Sequence, residues 1–312
     1  MNGYTALHEH AAWLDISSRG SIRATGEDRL RLINAISTNE VAGLSPGQGT
    51  YAFFLDAHGH ILSDALILVA DGHVVLDCEP ERAGFLSAHL DRYIIMDDVA
   101  IEDLAPQRTL VAIEGPRAAE VAAELTGGIL PAPQPFAHTV SGPTAILRAS
   151  LTGQPGIWLA YPPSHHAEVI SRLEAAGAVA AGSAEFNVVR VENRKPRCGE
   201  DFGEHTLPQE SGQMQAVSFT KGCYLGQEIV ERIRSQGQVR RKLAAIEWDS
   251  PFPPAAGAPI EFKGREAGRV TSPVFSPRRN LSLSFSILRS EAAHPEAELL
   301  CAGIVGRAME PH

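Results

Sequence analysis

Cysteine is scarce in this chain. Among 312 residues there are four, Cys78, Cys198, Cys223 and Cys301. No two stand at the short spacing of a metal finger, and a disulfide framework does not suit so low a density at this length. Basic charge is also short. The chain has 27 Lys and Arg against 37 Asp and Glu, for a net charge of -10. That balance excludes a dedicated nucleic-acid binder, which carries a basic excess; only a local basic island remains for contact with RNA. Long hydrophobic runs are missing. The strongest, Ala65 to Ala70, falls far short of a membrane span. The opening segment, Met1 to Gly20, has no basic n-region or apolar h-region and is not Arg-rich, so neither a secretory nor a mitochondrial leader is expected. The twelve histidines show no metal-ligand spacing, and no metal is expected. These absences together predict a soluble protein of the reducing cytoplasm with no membrane partner.

What is present is enough for a proper core: 44% of the residues are hydrophobic. The length suits two or three domains. Strand-like and helix-like segments alternate through the first half. Gly20 to Thr25 reads as a strand, and a helix is expected from about Gly26 to Ile36, with Glu27 and Asp28 in its first turn. Strands over Thr50 to Leu55, His60 to Val69 and His73 to Asp77 are joined by the hairpin signals Asp56-Ala57-His58-Gly59 and Asp71-Gly72. Pro80 opens a helix running to about Arg92. Pro106 to Ala176 repeats this grammar. The order predicts an α+β fold built from antiparallel sheets and packed helices rather than a parallel array. After Arg241 the pattern becomes all-β. Short runs over Lys242 to Trp248, Ala258 to Phe262, Ala267 to Thr271, Leu281 to Leu288 and Leu299 to Val305 are separated by Gly, Pro and Asp, as in a small barrel or sandwich. Leu281 to Ile287 alternates strictly, which predicts one wet face or a cavity rim. The expected domains are 1–237 and 238–312.

The densest chemistry lies in Lys221-Gly222-Cys223-Tyr224-Leu225-Gly226-Gln227-Glu228. A helix is expected from Gln227 to Arg234, with Ile229, Val230 and Ile233 on one face. A thiol beside a lysine and ahead of a helix N-terminus is favoured as thiolate, the nucleophilic and metal-binding form. The alternative is a buried cysteine acting as a small hydrophobe.

Position for position, this octapeptide resembles the K-G-C-[FY]-x-G-Q-E signature of the YgfZ family. These are folate-binding proteins linked to iron–sulfur cluster assembly and repair and to tRNA modification. They share a fold with the glycine-cleavage T-protein, a tetrahydrofolate-dependent aminomethyltransferase. The likeness covers most of the chain. Leu14 to Gly26 resembles the shared opening strand, Thr38-Asn39-Glu40 and Pro46-Gly47-Gln48 the elements after it, and Phe53 to Asp64 the next hairpin. Val189-Arg190-Val191-Glu192 resembles the segment that faces the pterin, although Asn193-Arg194 follows where relatives often have Ala-Gly. The implied architecture is T-protein-like and three-lobed: two interleaved α+β subdomains and a C-terminal β-barrel, with folate in a channel between lobes.

The resemblance implies tetrahydrofolate or a one-carbon derivative as cofactor. Glu192 is its expected anchor, because a carboxylate accepts in bidentate fashion from the pterin ring N–H and exocyclic amine. A solvated or ion-paired glutamate is the alternative. Arg190, Tyr224, Gly226, Gln227, Glu228 and Arg232 are the other expected cofactor-binding residues. Asp64 stands where T-proteins usually carry an aspartate pair. Here the pair reads Ser63-Asp64, leaving one carboxylate for acid–base work near folate N5 and N10 or a polar strand residue with no chemical role. Cys223 and Lys221 complete the candidate catalytic set. One thiol cannot hold an iron–sulfur cluster, which takes four, so transient donation or a mixed disulfide with a partner is implied. Arg232, Arg234, Arg240, Arg241 and Lys242 form a basic island suited to a folate glutamyl tail or RNA phosphate, or to a solvated face. The implied role is a folate-dependent accessory factor whose partners are iron–sulfur client enzymes, including tRNA-modifying ones. The alternative is a tetrahydrofolate-dependent aminomethyltransferase. Whether the protein turns over a substrate is left open.

Overall fold

The computed structural model describes residues 1–237 and 239–310. Along the chain come α1 (Gly3–Glu9), β1 (Ala12–Asp15), β2 (Gly20–Thr25), α2 (Arg29–Ile36), β3 (Gln48–Leu55), β4 (Ile61–Ala70), β5 (His73–Cys78), α3 (Pro80–Tyr93), β6 (Ala100–Asp103), β7 (Thr109–Glu114), α4 (Ala118–Thr126), β8 (His138–Ser141), β9 (Thr144–Leu147), β10 (Gly156–Tyr161), α5 (His166–Ala175), β11 (Val179–Ala180), α6 (Ser183–Glu192), α7 (Pro208–Ser211) and α8 (Gln227–Gln236). The all-β tail follows as β12 (Arg241–Trp248), β13 (Pro259–Phe262), β14 (Arg265–Arg269), β15 (Thr271–Ser276), β16 (Leu281–Arg289), β17 (Glu298–Cys301) and β18 (Ile304–Ala308).

These strands build three sheets, ordered β3-β4-β5-β2-β6, β11-β1-β7-β10-β9-β8 and β14-β13-β17-β18-β12-β16-β15. Pairing is antiparallel in such central pairs as β2 with β5, β7 with β10 and β12 with β16, whereas β1 and β11 run parallel. The chain is thus α+β with antiparallel sheets. It divides into two units interleaved in sequence. The first comprises Met1–Leu55, Ser63–Phe186 and Gln215–Leu225; the second comprises Asp56–Leu62, Asn187–Met214 and Gly226–His312. The boundary expected at 237/238 involves Gln238, which lies outside the described residues.

In the first unit, one core gathers Ile33, Phe54, Ile67, Leu76 and Leu86, so α2 and α3 bury their apolar stripes on the five-stranded sheet. A second core packs Val121 of α4 and Leu173 of α5 on Val111, Ile157 and Leu159 of the six-stranded sheet. The α2 helix starts at Arg29 rather than near Gly26, because Gly26 has φ +98° and a Cβ there would sit 2.0 Å from the Asp98 carbonyl oxygen.

In the second unit, the seven-stranded sheet curls on itself. A Cβ on Gly268 of β14 would lie 2.7 Å from both the Ile287 carbonyl oxygen and Ser286 Oγ of β16, strands that are not neighbours in the sheet order. This curl corrects two sequence expectations. The Leu/Ser alternation of β16 has no wet face: Ser282, Ser284 and Ser286 are fully buried on the inside of the curl, and Ser284 Oγ accepts the Trp248 indole N–H at 2.9 Å. The other face of β16, with Leu283 and Phe285, packs with Val191 of α6 and Val274. Leu299 to Val305 is not one strand but a hairpin, β17 and β18, turned by Ala302 and Gly303 in left-handed conformations of φ 49° and 82°.

Candidate functional site

The second unit builds its polar centre on the end of α6. Arg190 is buried, and its guanidinium is committed to the protein. Nε donates to Asn187 Oδ1 at 2.7 Å, and the terminal nitrogens reach Asp201 Oδ2 at 2.6 Å, Ser272 Oγ at 2.5 Å, Glu200 Oε2 at 2.9 Å and the Lys195 carbonyl at 3.3 Å. The resemblance implies that Arg190 touches a cofactor; in the structure its guanidinium is spent within the protein. It fastens α6 to Asp201 and to β15, and its own donors are satisfied.

Two residues on, Glu192 closes the helix. An acid at a helix C-terminus is opposed by the macrodipole. This one is half-buried and held in place, its Oε1 accepting from Ser276 Oγ at 2.5 Å. Ser276 is itself fully buried.

The signature residues of this unit lie at the start of α8. Gly226 is the N-cap at φ +82°, a conformation that suits glycine, and Glu228 sits in the first turn, where the dipole favours an acid. Gln227 opens the helix, half-buried. Arg232 is exposed. The basic island is partly neutralised: Arg234 pairs with Glu231 at 3.3 Å, and Arg241 grips Glu210 through two nitrogens at 3.0 Å each.

In the first unit, Asp64 projects from β4 and accepts from the Tyr51 hydroxyl at 2.7 Å, so its carboxylate is oriented from the neighbouring strand. Ser63 points the other way and is fully buried. Lys221 is not directed at the thiol. Its ammonium donates to the carbonyls of Asn34, Ser37 and Asn39 at 2.5, 2.7 and 2.8 Å, capping the orphan carbonyls at the end of α2. Burial lowers its pKa to about 8, with Glu40 opposing the shift. Tyr224 is buried, its ring 5.4 Å from the Lys221 nitrogen.

Cys223 is exposed. It precedes Gly226 in sequence and lies outside α8. The Lys221 ammonium, which the sequence sets beside the thiol, is spent on backbone carbonyls. The other cysteines are buried, and burial pushes the Cys78 thiol up to about 12, with Asp77 adding to the rise. Among the described residues, no group of His, Cys, Asp and Glu is arranged to hold a metal, and no helix is long and apolar enough to cross a membrane.

Sequence reasoning missed Ser276, Ser272, Asp201 and Tyr51. None belongs to a motif, and their roles come from strand pairing and from the turn after α6.

A family model described as the GCVT N-terminal domain matches residues 2–221. The chain belongs to the GCVT family. Among its relatives, the aminomethyltransferase of Symbiobacterium thermophilum is 30% identical over 96% of this chain and 84% of that protein. The aminomethyltransferase of Rubrobacter xylanophilus is 28% identical over 92% of this chain and 78% of that protein. The crystal structure of glycine cleavage system aminomethyltransferase T from Bartonella henselae superposes with a TM-score of 0.88 at 21% identity, covering 99% of this chain and 87% of that one. The T-protein fold expected from sequence is therefore the fold observed.

Proposed function

We propose that this protein binds tetrahydrofolate and transfers a one-carbon unit, in the manner of the aminomethyltransferases among its relatives. The observation that carries this reading is Glu192. Its half-buried carboxylate stands at the end of α6, where the helix dipole opposes it, and accepts from the hydroxyl of the fully buried Ser276. Its geometry suits the two adjacent donors of a reduced pterin. In the first unit, Asp64, oriented by Tyr51, is the carboxylate we assign to acid–base work. When bound, the folate supplies the nitrogen that accepts the one-carbon group; the protein's part is to bind, orient and exchange a proton.

The test is glycine-cleavage turnover with a lipoylated carrier protein and tetrahydrofolate. Turnover that falls at least tenfold in Asp64→Asn supports the proposal. Tight folate binding without turnover refutes the transferase half.

One observation favours a second reading, the YgfZ-like accessory factor for iron–sulfur enzymes, including those that modify tRNA. Ser63 stands in place of the second aspartate and is buried, while the Cys223 thiol is open to a partner. On this reading Cys223→Ser leaves folate affinity and thermal stability unchanged, because the side chain is exposed. The same variant lowers iron–sulfur enzyme activity in cells. Full complementation of a deletion strain by Cys223→Ser removes the second reading.

A further inference from the structure

We infer that Arg240, Lys242 and Arg289, grouped at one end of the β12–β16 pair, form a contact strip for the phosphate backbone of a nucleic acid. Such a strip is a binding activity separate from that toward folate.

Strand pairing brings these cations together. Arg241 and Arg289 stand directly opposite each other in the antiparallel ladder, and Lys242 follows opposite Leu288. The Ser290 N–H donates to the Arg240 carbonyl at 2.9 Å, and Ser290 Oγ to the Val239 carbonyl at 2.6 Å. The chain entering β12 is thereby tied to the chain leaving β16. Like charges placed opposite on a sheet oppose folding. One of these cations is compensated, since Arg241 grips Glu210 through two nitrogens at 3.0 Å each. Arg240, Lys242 and Arg289 are exposed, and among the described residues none of them has an ion pair or a side-chain hydrogen bond. Other exposed arginines of the same unit do have partners: Arg234 with Glu231, Arg269 with Glu266, Arg279 with Glu247 and Arg307 with Asp249. Acids are not scarce in a chain with 37 of them against 27 bases. The exposed Glu291, two positions beyond Arg289, leaves the strip net positive.

Exposure selects the ligand. A small anion beside an exposed cation gains little, because both stay hydrated and salt screens them. A nucleic acid differs. It carries a condensed layer of counterions, and each phosphate neutralised by a protein cation releases some of them, so open cations without a pocket still bind it. Scattered carboxylates on a folded partner have no such layer to release. Two of the three cations are arginines, whose planar fork takes a phosphate through two parallel bonds. Contacts of this kind carry no sequence information.

The experiment is fluorescence anisotropy of a labelled DNA duplex of about 20 base pairs with the full-length protein, over salt from about 20 to 200 mM. With three phosphate contacts, log K should fall against log salt with a slope of about −2.7, so affinity drops about 40-fold between about 50 and 200 mM. Arg240→Gln and Arg289→Gln should each take about 0.9 off that slope, and both together with Lys242→Gln should weaken low-salt binding about tenfold or more. Arg289→Lys, which keeps the charge, should keep the slope. Arg92→Gln, at an exposed cation of the other unit, should leave it unchanged. No binding at about 20 mM salt, or a slope that the neutral variants do not alter, overturns the inference. So does displacement of the duplex by a pentaglutamate peptide at equal charge concentration, which would make the strip a carboxylate site.

Discussion

Replacing Arg190 with methionine removes the guanidinium, keeps most of the stem volume, and leaves Asp201 as a buried, uncompensated charge. Arg190 is 5% exposed and Asp201 2%. Breaking a buried ion pair by deleting one partner costs about 3–5 kcal/mol. Asp201 keeps the Arg197 N–H at 2.9 Å, the Thr271 hydroxyl at 2.8 Å and Ser272 Oγ at 2.6 Å. Those bonds place the expected cost at the lower end, about 3 kcal/mol. The assay is equilibrium urea denaturation in a Trp13→Phe, Trp158→Phe background, where Trp248, fully buried in the same unit as Arg190, is the remaining indole of the three. With a urea m-value of about 1–3 kcal/mol/M, the midpoint should fall by about 1–3 M. Adding Asp201→Asn to Arg190→Met removes the stranded charge and should recover part of the loss. A single variant costing under about 1 kcal/mol, or a double variant no more stable than the single, would refute the claim that a buried ion pair holds the end of α6.

His89 is buried among the rings of Phe54, Phe85 and Tyr93, and burial lowers its pKa, with Arg92 adding to the effect. Its folded pKa lies below the unfolded value of about 6.5, so the unfolded chain takes up the proton first as pH falls. Stability is therefore full above about pH 6.5 and declines below it; His89→Phe should flatten that part of a plot of thermal midpoint against pH, and an unaltered slope counts against the assignment. Gly268→Ala puts a Cβ 2.7 Å from the backbone oxygen of Ile287, which cannot step aside, and should cost about 1–3 kcal/mol of the second unit's stability in the urea assay. A neutral result would mean the sheet is less tightly curled than described. Glu114 is fully buried and accepts from Ser150 Oγ at 2.8 Å, Thr152 N at 3.0 Å and the Leu151 N–H. Glu114→Ala should strand those donors at about 1–3 kcal/mol each and open the 150–154 turn to limited proteolysis, and a protease-resistant variant would show that the turn holds itself.

Much of the fold could be read from the sequence because its signals are local. Pro80 marks the first turn of α3, Asp71-Gly72 marks a hairpin, and the strand expected over Gly20 to Thr25 is β2. The failures share a different cause. Alternation along β16 predicts a wet face or a cavity rim, because it reports that two faces differ, not what covers them. Coverage there depends on β14 returning over β16 at Gly268, a contact that no local pattern encodes. Leu299 to Val305 was read as one strand because its turn uses Ala302 in a left-handed conformation, and alanine gives no turn signal. The site divides along the same line. Glu192 and Asp64 were legible through resemblance, but the residues that orient them, Ser276 and Tyr51, stand 84 and 13 positions away in sequence and belong to no motif.

The octapeptide shows how one motif mixes structural and chemical roles. Lys221 closes the end of α2, Tyr224 fills a buried position beside it, and Gly226 turns the chain into α8. Each of these would be required whatever the protein does, so a match at those positions speaks for the fold before it speaks for the chemistry. Cys223 is different. Its side chain is exposed. Lys221, the cation of the motif, is turned to the α2 carbonyls. On the accessory-factor reading, the exposed Cys223 thiol acts on a partner that docks against it. This is why an assay on the isolated protein can decide the transferase reading, whereas the accessory-factor reading is decided only where a partner is present.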